Sequence, residues 1–179
     1  MCEPNCTTQS TTMDISRFLK KINLPAHWRA PTLLQYKHLV ATILCPKDLQ
    51  QDLAAVNSSR DIIHRTRGGS WPEEELTEEF NLLDLQWHEC ESRDNRSFAY
   101  AVRNTQGEYI GCFYLYELGG RQPLNEELNK YDVDANWWVT TEAYRRGDYE
   151  ELYRGLQEWL GNEFKAIGRP WWSNIEIPV

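Results

Sequence analysis

The stretch "WWVTTEAYRRGDYEELY", residues 137–153, reads as the end of an apolar strand, a basic turn with one glycine, and then a helix. If a strand over 133–139 feeds a helix over 149–164 through a tight turn, the free N–H groups of that helix point at the strand end, where an anion can sit. Arg145 and Arg146 would add charge-assisted donors, and Gly147 would let its backbone approach closely. Asp148, Glu150 and Glu151 oppose this, because carboxylates in the first turn already satisfy the positive end of the helix dipole and repel a bound diphosphate.

Working outward, "DVDANWWVT" alternates Asp132, Asp134, Asn136 and Trp138 against Val133, Ala135, Trp137 and Val139, giving one polar-leaning face. A half-buried strand with one solvated face shows the same alternation. Upstream, "SFAYAVRNTQGEYIGCFYLYEL" holds two aromatic and β-rich runs around Asn104–Gly107, a hairpin signal. "HLVATILCP", 38–46, suits a buried strand closed by proline. The spacing of Leu49, Leu53 and Val56 predicts a helix, and Ser70 with Glu73 in capping-box spacing predicts a second, with Leu76, Phe80, Leu83 and Trp87 as its apolar stripe. Leu152, Leu156, Trp159 and Leu160 line a face of the last helix, and "RPWWSNIEIPV" offers a short final strand. Residues 1–30 read as a polar extension plus a short amphipathic helix from Asp14, and 31–179 as one domain. The expected class is α/β (α+β): a mixed, mostly antiparallel central sheet flanked by helices, abbreviated towards its C-terminal part.

A chain of 179 residues, 41% hydrophobic and 12% aromatic, can bury a full core. Its 27 acidic residues against 19 basic ones set a net charge of -8, so a nucleic-acid partner would approach against the average field. No apolar run reaches the roughly 18 residues of a membrane span, and no leader-like segment opens the chain. The expectation is a soluble cytoplasmic protein with no nucleic-acid or membrane partner, its oligomeric state open and a homo-oligomer included. The scattered cysteines at 2, 6, 45, 90 and 112 lack zinc-site spacing. His88 and Glu91, one helical turn apart, are two ligands at most, so no metal site is expected.

The order of elements and the motif together resemble the GNAT acetyltransferase superfamily over roughly residues 38–178. Such proteins hold the pantetheine arm of acetyl coenzyme A on the backbone of a splayed central strand. The next turn in that family carries an Arg or Gln, two variable residues, a Gly, one variable residue and a Gly or Ala. Val139, Glu142 and Gly147 match; Tyr144 stands at the Arg or Gln position and Tyr149 at the second small position. The resemblance implies acetyl coenzyme A as cofactor, held by Trp138, Val139 and Thr140 and by Arg145, Arg146 and Gly147. It implies Asp134 as the base that takes the proton of a small-molecule or peptide amine, with Tyr114 and Tyr116 lining the acceptor pocket. The family continues with a further strand, helix and strand pair, where a tyrosine acid is often found. Here "KAIGRPWWSNIEIPV" follows the helix, and no general acid is assigned.

The competing reading is a GNAT-like domain without catalysis that serves as a binding module, with Trp171 and Trp172 as an exposed interface cluster. Thiol chemistry at Cys45 or Cys112 with His38 or His88 ranks below both, since no spacing places a histidine beside either sulfur.

Overall fold

The computed structural model describes residues 21–120 and 123–179; the helix expected from Asp14 lies largely outside them. Six strands form one sheet in the order of the chain: β1 (Leu33–Tyr36), β2 (Leu39–Ile43), β3 (Phe98–Asn104), β4 (Tyr109–Glu117), β5 (Val133–Val139) and β6 (Pro170–Trp172). Every pairing is antiparallel except β5 with β6, the mixed sheet the sequence implied. The β3–β4 hairpin turns at Gly107, whose φ of 84° a side chain rarely adopts. The strand expected at 38–46 is shorter, and it pairs with β1, which four residues behind Pro31 do not announce.

Side-chain alternation sends successive residues to opposite faces. One face carries Phe113, Trp137 and Val139 against α5 (Asp148–Gly161), whose Leu152, Leu156 and Trp159 are buried there. The other face carries Ala99, Ala101, Cys112, Tyr114 and Trp138 under α1 (Leu49–Ser58), α2 (Arg60–Arg67) and α3 (Glu78–Arg93). The polar-leaning side of β5 lies beneath these helices, so it is not a solvated face: Asp134 and Asn136 are buried.

Three helices stand where two were expected. The first breaks at Ser59, whose buried Oγ accepts a hydrogen bond from Thr141 N at 3.0 Å. The later helix starts at Glu78, with the Thr77 hydroxyl accepting from Phe80 N, and not at Ser70. Ser70 does bond Glu73, but the chain from there to Thr77 runs through bends and irregular backbone, with Asn57 clasping both backbone groups of Leu76, at 2.8 and 3.0 Å. The expected apolar stripe of α3 points outward, with Phe80 54%, Leu83 64% and Trp87 49% exposed. A buried polar network sets the inward face: Asn81 donates to Asp52, which also accepts from the Tyr109 hydroxyl. Desolvating those groups is affordable only when they bond one another, and this overrides the apolar periodicity.

Candidate functional site

The basic turn of the opening stretch is helical. Thr140 follows β5 and caps α4 (Thr141–Arg146), its hydroxyl accepting from Ala143 N at 3.2 Å. Gly147, in the left-handed region at φ 88°, closes α4 and opens α5, and its N–H bonds back to the Tyr144 carbonyl. Arg145 is paired with Glu142 at 2.7 Å. Arg146 is held by Asp148 at 3.1 Å and Glu108 at 3.0 Å, and Asp148 also meets His38 Nε2 at 2.8 Å. The expected cradle over 145–147 is therefore a helix end whose cations already face carboxylates.

The open edge of the sheet lies one step away. β5 and β6 run parallel only over Val133–Ala135 and Pro170–Trp172, then separate. Into this gap the chain sends its own segment 173–176. Asn174 Oδ1 accepts from Trp137 N at 3.1 Å, while its Nδ2 donates to Trp137 O at 2.9 Å and to the Tyr149 hydroxyl at 2.6 Å. One side-chain amide thus occupies both backbone groups of a strand residue. Ile175 N and Glu176 N both donate to Thr66 O, one of the end carbonyls of α2 that no helical N–H reaches. The Glu176 carboxylate accepts from the Tyr144 hydroxyl and from Arg65 Nε, and its carbonyl accepts from the Tyr149 hydroxyl at 2.6 Å.

Because Trp137 faces the gap, the pleat turns Trp138 and Thr140 towards β4, and Thr140 N indeed donates to Ile110 O at 2.7 Å. The edge residues are Trp137 and Val139. Of Trp138, Val139 and Thr140, expected to offer backbone groups to a cofactor, only Val139 shares this edge with Trp137. A period of two would have given this parity once Asn174 fixed one member.

On the face beneath the helices, a cleft of about 350 Å³ is lined by Arg67, Trp71, Asp84, Trp87, His88, Tyr114 and Tyr116, with Gly68–Ser70 at its rim. Tyr114 and Tyr116 stack in parallel at 5.7 Å, and His88 lies 5.3 Å from Tyr114. Arg67 Nε donates to Asn136 Oδ1 at 2.8 Å, with the guanidinium 4.9 Å from the Tyr114 ring and 5.2 Å from the Trp71 ring. Burial, with Arg67 adding to it, lowers His88 to about 4. Burial and the nearby Asp52 raise Asp84 to about 6, with Arg67 acting in the other direction. Asp134 is not among the lining residues; its Oδ1 takes the Ser173 hydroxyl at 2.5 Å and Asn136 Nδ2 at 3.4 Å. Sequence reasoning found the two tyrosines but not Arg67 or Asp84, and weighed His88 only with Glu91 or a thiol; the end of α2 and one face of α3 bring the three together.

No protein-family model and no curated protein sequence matches the chain. Solved structures do. A ribosomal-protein-S5-alanine acetyltransferase from Vibrio fischeri superposes with a TM-score of 0.53 at 11% identity, covering 76% of this chain and 70% of its own. RimL, a ribosomal L7/L12 alpha-N-protein acetyltransferase in complex with coenzyme A, gives 0.53 at 12% identity over 73% and 70%. A GNAT-family acetyltransferase from Bacillus anthracis gives 0.52 at 13% over 74% and 68%. The chain has the GNAT acetyltransferase fold.

Within the GNAT fold, the two departures from the motif acquire a structural meaning. Tyr144 and Tyr149 are the residues whose hydroxyls hold Glu176, and Tyr149 also holds Asn174. The aromatic pair at 171–172 is not an exposed cluster: Trp172 packs edge-on against Trp137 and Tyr153, and Trp171 against Tyr131. His38 bonds Asp148 and the Cys112 thiol lies 3.0 Å from the Tyr109 hydroxyl, so neither forms the thiol–imidazole pair weighed from the sequence.

Proposed function

We propose that the chain is an acetyl-coenzyme-A-dependent N-acetyltransferase acting on a small-molecule or peptide amine, with its cofactor edge covered by its own segment 173–176. The observation that supports this is the chemistry of what covers the edge. An amide satisfies Trp137 N–H and C=O, and a carboxylate a few residues on satisfies a tyrosine hydroxyl and a guanidinium. Coenzyme A is an amide-containing arm that ends in an anionic diphosphate, so the donors and acceptors present suit it once the segment leaves. Trp137 and Val139 would hold the arm, and Tyr144 and Arg65 would stand near the anionic end, with Arg145, Arg146 and Gly147 on the adjoining helix end.

When bound, the cofactor supplies an acyl group activated as a thioester. The chain supplies position, exclusion of water and a proton acceptor. Ser173 covers Asp134 and belongs to the same segment, so its departure uncovers the carboxylate proposed to take the amine proton. Tyr114 and Tyr116 would form the acceptor-side wall, and an amine as acceptor rests on analogy with RimL, a ribosomal L7/L12 alpha-N-protein acetyltransferase.

The test is calorimetric titration of the folded protein with acetyl coenzyme A, followed by transfer assays with amine panels. Saturable binding that protects segment 173–176 less than the free protein does, read by hydrogen exchange, supports the reading. The complete absence of binding in the wild type and in Asn174→Ala at millimolar cofactor overturns it. The same clasp favours a second reading, a non-catalytic GNAT-fold domain whose edge is permanently closed, and that outcome selects it.

A further inference from the structure

The aromatic cleft beneath α2 and α3 holds two opposite charges that do not meet. Arg67 is anchored through Asn136 and flanked by the Tyr114 and Trp71 rings, and among the described residues it forms no ion pair. Asp84 faces Asp52 from α1, Arg67 from α2 and His88 on its own helix, and its nearest cationic candidate is His88 Nε2 at 3.6 Å. His88 does not neutralise it, since burial keeps the imidazole uncharged above about pH 4. A third group is left over: His88 is 4% exposed, and among the described residues its Nδ1 has no hydrogen-bond partner. Buried polar atoms without partners are uncommon.

Between these groups the lining mixes polar atoms with the indole of Trp87. Trp87 is 49% exposed, so an apolar side chain can lie against its indole without moving the core. A ligand of one charge would suit one end and be repelled at the other. A ligand carrying both charges a few bonds apart suits both ends.

We infer that this cleft binds a zwitterionic α-amino acid, its carboxylate on Arg67, its ammonium on Asp84 and its apolar side chain against Trp87. The cleft is the acceptor side of the proposed transferase, so the inference rests on that reading for its biological sense and names the acceptor class, while its test reads binding to the protein alone.

The experiment uses the full chain without coenzyme A and three probes followed by calorimetry and by the indole NMR signal of Trp87. L-phenylalanine carries both charges, phenylalaninamide lacks the carboxylate, and N-acetylphenylalanine lacks the ammonium. Each charge-assisted hydrogen bond separates the probes by about tenfold or more, so phenylalanine should bind at least tenfold more tightly than either analogue. Asp84→Asn should erase the advantage over N-acetylphenylalanine, and Arg67→Gln the advantage over phenylalaninamide. The probe series needs no variant, so a fold defect in Arg67→Gln, which loses the Asn136 bond, leaves the test intact. Equal affinity for all three probes, tightest binding of an analogue, no saturation, or an advantage that survives both variants overturns the inference. Amino-acid binding without acetyl-coenzyme-A binding would sink the acetyltransferase reading and leave this one standing.

Discussion

Replacing Asn174 with alanine removes three hydrogen bonds: two to Trp137 and one to the Tyr149 hydroxyl. Each is worth about 1 kcal/mol net, so the variant should lose about 3 kcal/mol in folding stability, more if water does not reach the uncovered groups. Both Trp137 and Asn174 are buried, which places the loss at the upper end. If acetyl coenzyme A uses the same strand edge, that cost is also the cost of vacating it in the wild type. Apparent affinity is reduced by the fraction of molecules with the edge open, so removing about 3 kcal/mol should tighten cofactor binding about a hundredfold. The two quantities move in opposite directions, which no general loosening of the fold would produce. Urea unfolding gives the first and calorimetric titration with acetyl coenzyme A the second. A variant that is destabilised as expected but binds the cofactor no better than wild type would refute the reasoning, because the amide would then be structural cover and nothing more.

Other expectations follow from the packing. At Gly111 an added Cβ would lie 2.1 Å from the Trp138 carbonyl oxygen, a backbone atom that cannot turn aside, so Gly111→Ala should cost more than about 3 kcal/mol by urea unfolding. His88 has its folded value lowered from 6.5 to about 4. Its contribution, about 3 kcal/mol, is therefore full above pH 6.5 and lost as pH falls towards 4. Asp84, raised to about 6, acts with the opposite sign, favouring the fold below its unfolded value of 3.8 and losing that as pH rises through about 6. Asp84→Asn should therefore leave a steeper acid loss than the wild type shows, and a shallower one would contradict the assignment. Tyr109→Phe removes a 2.7 Å bond to the buried Asp52 and should cost about 1 to 3 kcal/mol, measured by thermal unfolding.

Strands with strong period-two content were legible from residues alone: β3, β4 and β5 lie within the runs that predicted them. Elements fixed by distant partners were not. α3 presents Phe80, Leu83 and Trp87 to solvent because Asn81 must reach Asp52 across a sequence gap that periodicity does not see. The Ser70–Glu73 pattern makes its hydrogen bond without making a helix, since Asn57 holds Leu76 from another element. In the opening stretch the capping signal was present at Thr140, three residues before Ala143, but the glycine at 147 drew the helix start to itself. The site divided similarly. Tyr114 and Tyr116 share a face on one strand and could be paired by spacing, as could Asp84 and His88 four residues apart on α3, whereas Arg67 joins them only in the folded chain.

The clasp on Trp137 also bears on how the sheet ends. β5 spans seven residues and β6 pairs with only three of them, which would leave a strip of unpaired backbone beside two tryptophans, the kind of surface onto which another chain can add a strand. Asn174 imitates the next strand at one residue and supplies no further N–H and C=O row behind it. Pairing therefore stops within the molecule. By the same token, solutions in which the amide is lost or displaced should show strand-mediated self-association, and a cofactor that replaced the amide would also keep the protein from assembling through its own edge.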